Sequence, residues 1–233
     1  MIKRIAQTAG FTGLLAALLL TLLQSFWVAP LILQAETYEK AAAAQMHEHA
    51  AAARHNHSHD EEAWEPQDGW QRLLSTTGSN LVVAIGFALM LAGLYTLRAP
   101  KRTSQGVLWG LAGYATFCLA PTLGLPPELP GTAAADLLAR QIWWVGAAAS
   151  TAVAIALVVF GKHWVLKGVG VAIIVVPHLI GAPQPPVHSS LAPQELQAQF
   201  KMASQLTNAT FWLALGLISA WWFRRNADDH YPA

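Results

Sequence analysis

The chain has 233 residues, 54% of them hydrophobic and only 12% charged, with a formal net charge of +1. An ordinary soluble domain carries about 25% charged residues, so a conventional water-soluble globule is excluded, and the near-neutral balance gives no basis for a nucleic-acid partner. Cys118 is the only cysteine, which excludes an internal disulfide, and no G-x-x-x-x-G-K-[ST] stretch is present to bind ATP phosphates in a Walker loop.

The apolar residues cluster in runs of bilayer length. They imply an all-α, polytopic helical membrane protein, one domain over residues 1–233, with about six transmembrane helices and five as the alternative. The first span, roughly 8–33, follows Lys3 and Arg4. It is longer than the roughly 7–15 residues of a signal-peptide core, and Leu33 stands where cleavage before Glu36 would need a small residue, so an uncleaved helix is expected. Glu36, Glu39, Lys40 and two alanine tracts then favour a helix that runs on past the membrane.

The second span covers roughly 77–97 and ends in the basic turn Arg98 to Arg102. The third, roughly 105–125, carries Gly106, Gly110 and Gly113, which allow close helix approach. Pro126, Pro127, Pro130 and Gly131 then force an irregular turn. The fourth span, roughly 141–160, begins with Trp143 and Trp144 at interfacial depth. The fifth, 168–182, has only about 15 apolar residues against the ~20 normally needed, and Pro177-His178 interrupts it. The sixth covers roughly 206–223 and is closed by Arg224-Arg225.

With six spans, Lys3, Arg4, Arg98, Lys101, Arg102, Lys162, Lys167, Arg224 and Arg225 share one side. The other side holds Lys40, Arg54, Arg72, Arg140 and Lys201. Basic residues mark the cytoplasm. The expectation is a protein of the bacterial cytoplasmic (inner) membrane with both termini cytoplasmic and the segment 36–76 outside.

That outer segment is where chemistry concentrates. His47, His49, His55, His57 and His59 are five of the chain's nine histidines. Neutral imidazoles bind Zn²⁺, Ni²⁺, Co²⁺ and Cu²⁺, and His-rich tracts bind metal by the same logic. His-x-His spacing puts rings on one side of an extended segment, and a spacing of four does so on a helix. His178 inside an apolar span is costly there, and Pro177 and Gly181 loosen the backbone around it; a place beside an ion path and a place as an interhelical hydrogen-bonding group fit equally well. Glu36, Glu39 and Glu128 fall on the outer side, where carboxylates would relay a divalent cation inward. Asp136 and Arg140, four apart, read as a surface ion pair, and Gln24, Asn80 and Asn208 as interhelical hydrogen-bonding groups. Cys118 reads as packing.

Several stretches together resemble the CbtA family of predicted bacterial cobalt transporter subunits. They are Pro30-Leu31-Ile32-Leu33-Gln34-Ala35-Glu36-Thr37-Tyr38-Glu39, Leu108-Trp109-Gly110-Leu111-Ala112-Gly113-Tyr114, Leu119 to Gly131, Arg140-Gln141-Ile142-Trp143-Trp144 and Pro177-His178-Leu179-Ile180-Gly181-Ala182-Pro183. The resemblance implies cobalt uptake linked to cobalamin synthesis and a small single-span, histidine-bearing partner, CbtB. It supplies no catalytic residues, and the family is described with five spans.

Three function classes follow. A transport subunit would take up Co²⁺, Ni²⁺ or Zn²⁺ as substrate, with no tightly bound cofactor. A metal-binding accessory or receptor subunit would bind the ion without passing it. A membrane enzyme would need facing histidines inside the bundle, and only His178 lies at a suitable depth, so a non-enzyme is expected.

Overall fold

In the computed structural model, the backbone is described for residues 1–51 and 66–228 and the side chains for 1–45 and 66–226. The chain runs through α1 (Ile2–Leu23), α2 (Ala29–Ala51), α3 (Trp70–Leu97), α4 (Gln105–Tyr114), α5 (Ala120–Thr122), α6 (Leu137–Phe160), α7 (Trp164–Ile180) and α8 (Gln194–Asp228). Among the described residues the only sheet-like pairing is a single antiparallel bridge, Thr132 to Ser190. Among the described residues four helices are long and apolar enough to cross a membrane, and α7 is a shorter apolar helix. Leu108, Val82, Val159 and Val171 project outward, an apolar exterior that lipid accommodates and water does not. The protein is a polytopic helical membrane protein.

A π-helical turn, Gln24–Val28, joins α1 to α2, and another, Ala115–Leu119, joins α4 to α5. Both have the same cause. Pro30 and Pro121 lack an N–H, so the carbonyls of Phe26 and Phe117 lose their usual helical donors. The widened turn moves the ring clear, and Ala29 and Ala120 donate instead to the carbonyls five residues back, Gln24 and Ala115. The local sequences match as well: Ser25-Phe26-Trp27-Val28-Ala29-Pro30 and Thr116-Phe117-Cys118-Leu119-Ala120-Pro121. From Ile2 to Ala51 the first helix is therefore continuous, about 75 Å at ~1.5 Å per residue. A bilayer core is about 30 Å thick, so the helix runs on well past one crossing, as its composition led us to expect.

The helix α1 packs along α3 and α8, α4 lies on α8, and α6 packs on α7. The core between α1, α3, α4 and α8 is built on Trp212, Tyr95, Leu91 and Leu215. Phe117 stacks parallel to Trp212 at 5.5 Å, and the Tyr95 hydroxyl meets Ser219 Oγ at 3.0 Å. The α4–α8 seam depends on glycine: a Cβ at Gly106 or Gly110 would strike the α8 backbone, and one at Gly216 would strike that of α4. In α7, only Gly170 and Pro177 are buried. It starts before the expected 168–182 segment, because Trp164 to Lys167 already wind into its first turn.

Several polar groups inside the bundle find one another. Asn80 is buried on α3 and donates to Gln24 Oε1 at 2.7 Å and to Thr21 Oγ1 at 3.0 Å, the interhelical pairing expected of it. Tyr114 donates to Gln205 Oε1 at 2.8 Å, and Gln205 Nε2 to Thr122 Oγ1 at 2.7 Å. Asn208 instead bonds within its own helix, to the Ser204 carbonyl. Cys118 is half-buried against the core.

The chain's two ends meet. Arg4 Nε donates to the Phe223 carbonyl at 2.8 Å, and its guanidinium lies 3.6 Å from the centre of the Phe223 ring. Arg98 lies over Phe160, and Arg224 donates to Thr103 Oγ1 at 3.2 Å. We call this the basic end.

Candidate functional site

The opposite end, called the far end here, is built from the Leu125–Asp136 turn, the loop from Gly181 to Pro193 and the first turns of α3, α6 and α8. The prolines keep the turn out of helix, as expected, and a second apolar cluster anchors it. Leu129 packs with Val28 and Ala35 of the first helix and with Leu196 and Phe200 of α8. Backbone bonds then tie turn to loop: Ala133 N–H to the Ser189 carbonyl at 2.9 Å and Leu191 N–H to the Gly131 carbonyl at 3.2 Å. Thr132 and Ser190 hydroxyls meet at 3.1 Å.

Two arginines organise the described charges here. Arg72 of α3 grips Glu36 of α2 with both terminal nitrogens, at 2.7 and 3.3 Å, and also reaches Asp68 at 3.1 Å. Arg140 of α6 reaches Glu128 Oε2 at 3.3 Å. The spacing-based pairing of Asp136 with Arg140 does not form. Asp136 occupies the N-cap of α6, and its carboxylate accepts from Ala139 N–H at 2.9 Å. Capping fixes that side chain toward the helix start, which leaves Arg140 to the turn carboxylate.

His178 lies in the last turn of α7, its ring edge-on to the Trp143 indole at 5.9 Å between centres. Trp143 Nε1 donates to the Pro177 carbonyl at 3.1 Å, and Gly181 N–H donates to the same oxygen at 3.1 Å. Gly181, at φ 83°, then ends the helix in a conformation that suits glycine. The proline and glycine thus do shape the chain beside His178, while the Pro177 carbonyl already has partners. His178 borders a small cavity of about 360 Å³ with Gly124, Trp143 and Gln184.

A larger cleft of about 450 Å³ opens beside it, sharing Gly124 and Gln184 and lined also by Glu128, Arg140, His188 and Lys201. The structure thus brings Glu128 to the cleft wall and His178 to the adjoining cavity. Glu36 is held at the α2–α3 contact, and Glu39 lies exposed on α2. His47 and His49 belong to the last part of α2, but their side chains lie outside the described residues, as do His55, His57 and His59 altogether. Among the described residues, no three His, Cys, Asp or Glu side chains gather as a metal site.

His188 and Lys201 were not singled out from sequence. Their signal was faint: a histidine within a proline-rich loop, and a lone cation where α8 turns apolar.

The chain has no match at a significant level among curated proteins or solved structures. A family model described as "Probable cobalt transporter subunit (CbtA)" matches residues 2–224, nearly the whole sequence. The continuous helical bundle, the proline turn and the Pro177-His178 block all fall within that match, and the chain belongs to the CbtA family.

Proposed function

We propose that this protein is the membrane subunit through which a divalent transition metal, cobalt before nickel or zinc, is taken up. The observation that carries the reading is the family match over residues 2–224. The array of long apolar helices supports it. In this reading the protein sits in the bacterial cytoplasmic (inner) membrane and crosses it six times. The fifth crossing is α7, whose 17 residues span about 25 Å at ~1.5 Å each. The basic end faces the cytoplasm with both termini, in keeping with the charge bias, and the far end faces out.

His47, His49, His55, His57 and His59 then collect the ion outside, and His178 borders the small cavity that adjoins the cleft. The partner is a small single-span membrane subunit bearing histidine, of the CbtB kind. The metal is cargo rather than a resident cofactor, and the protein is not an enzyme. The membrane potential supplies about 4.6 kcal/mol for a dication per 100 mV. Radiolabelled Co²⁺ flux into liposomes, with and without the small partner, tests the reading. Uptake above empty liposomes is expected; equal uptake removes it.

One observation favours a second reading, a metal-binding accessory subunit that does not conduct. Two of the carboxylates expected to relay the ion, Glu36 and Glu128, are each held by an arginine. That reading predicts metal binding without flux under either liposome condition.

A further inference from the structure

We infer that the cleft beneath the proline turn receives an anionic, carboxylate-bearing ligand rather than a bare divalent cation. A dication would meet the wrong charges there. Among the described residues Glu128 is the one carboxylate on the cleft wall, and Arg140 already holds it. Lys201 adds a second positive charge from α8, and among the described residues it makes no ion pair. The described residues of the wall therefore carry one positive charge beyond balance even with His188 neutral.

Its donors suit oxygen anions. Lys201 offers an ammonium, and Arg140 offers the guanidinium N–H groups that Glu128 does not take up. His188 and Gln194 add neutral groups from the loop and from the start of α8. Charge-assisted hydrogen bonds from ammonium and guanidinium to carboxylate are the strong ones. The volume, about 450 Å³, falls within the ~300–1,000 Å³ typical of small-molecule sites. The walls are pinned by the Thr132–Ser190 contact and the backbone bonds beside it, so the cleft is a preformed space.

Carboxylate oxygens reach such a cleft from two sources: a free carboxylate, or the outward face of a metal chelate that already carries its ion. The second source rests on the transport reading above, whereas anion binding itself does not.

The test is calorimetry on the purified full chain in nanodiscs, titrated separately with citrate, with cobalt(II) chloride and with 1:1 cobalt(II) citrate. A citrate-dependent signal is expected, weakened roughly tenfold in Lys201→Gln, restored in Lys201→Arg and unmoved in Lys162→Gln at the basic end. Citrate and cobalt citrate binding alike assigns the free anion; tenfold tighter binding of the complex assigns the chelate. No citrate-dependent signal with either titrant, or one that Lys201→Gln leaves within twofold, overturns the inference. Liposomes that pass no Co²⁺ while the cleft still binds citrate would remove the transport reading alone.

Discussion

The two ends of this bundle treat arginine differently. At the basic end, Arg4 rests on the carbonyl and ring of Phe223, Arg98 on the ring of Phe160, and Arg225 on that of Trp221. Ring contacts hold the guanidinium groups of Arg98 and Arg225 without cancelling their charge. At the far end, Arg72 is clasped by Glu36 and Asp68, and Arg140 by Glu128, so the positive charge is spent locally. The contrast teaches that rings hold guanidinium groups at one end and carboxylates hold them at the other. It also teaches that a carboxylate near an entrance is not a metal ligand by default, because an arginine has first claim on it.

The largest expected effect tests sidedness. With Cys118 replaced by alanine, an impermeant maleimide added to intact cells should label Ser189→Cys at the far end and not Ser104→Cys at the basic end. The labelling should reverse in inverted vesicles. The opposite result would turn the molecule over in the membrane and end the uptake reading as drawn.

Next in size is Arg72→Ala. It leaves the Glu36 carboxylate, with 17% of its side chain exposed, without its main partner. Loss of one member of a fully buried pair costs about 3–5 kcal/mol; partial exposure reduces that to about 2 kcal/mol. The check is thermal unfolding in detergent. The double change Glu36→Gln with Arg72→Met should recover most of the loss, because the only carboxylate it strips of Arg72 is the exposed Asp68.

Arg4→Ala should cost about 1 kcal/mol, through the lost carbonyl bonds and ring contact. The same unfolding assay reads it. Smallest is Glu128→Gln. Its pair is 3.3 Å apart with both side chains about 30% exposed, so stability should fall by under about 0.5 kcal/mol. Its functional readout is sharper. If Glu128 only tethers Arg140, cobalt uptake at low supply should stay within twofold of the parent; a tenfold fall would restore it as a metal ligand.

Much of the architecture could be read directly from sequence, because helix formation in lipid is a local matter. Apolar runs marked the helices, the prolines at 126, 127 and 130 marked the turn, and Asn80 and Gln24 announced a polar contact that burial makes obligatory. The site was less legible for the opposite reason: its pairings are remote in sequence. Glu36 meets Arg72 across 36 positions, and Lys201 joins Glu128 at one cleft from another helix. Spacing misled at Asp136, where four residues suggested an ion pair but a helix start took the carboxylate. The recurring Ser/Thr-Phe-x-Val/Leu-Ala-Pro stretch was in plain view, yet its meaning needed the backbone, since proline alone does not say that the preceding turn will widen.

The glycine seam between α4 and α8 has a mechanical consequence. Where two backbones touch with no side chain between them, sliding or tilting by even an ångström drives carbonyl into Cα. These two helices must therefore move as a single strut. The seam leaves α6 and α7, which pack chiefly on each other, able to rock against that strut, and Trp143 with its bond to Pro177 is the latch that such a motion has to carry along or release.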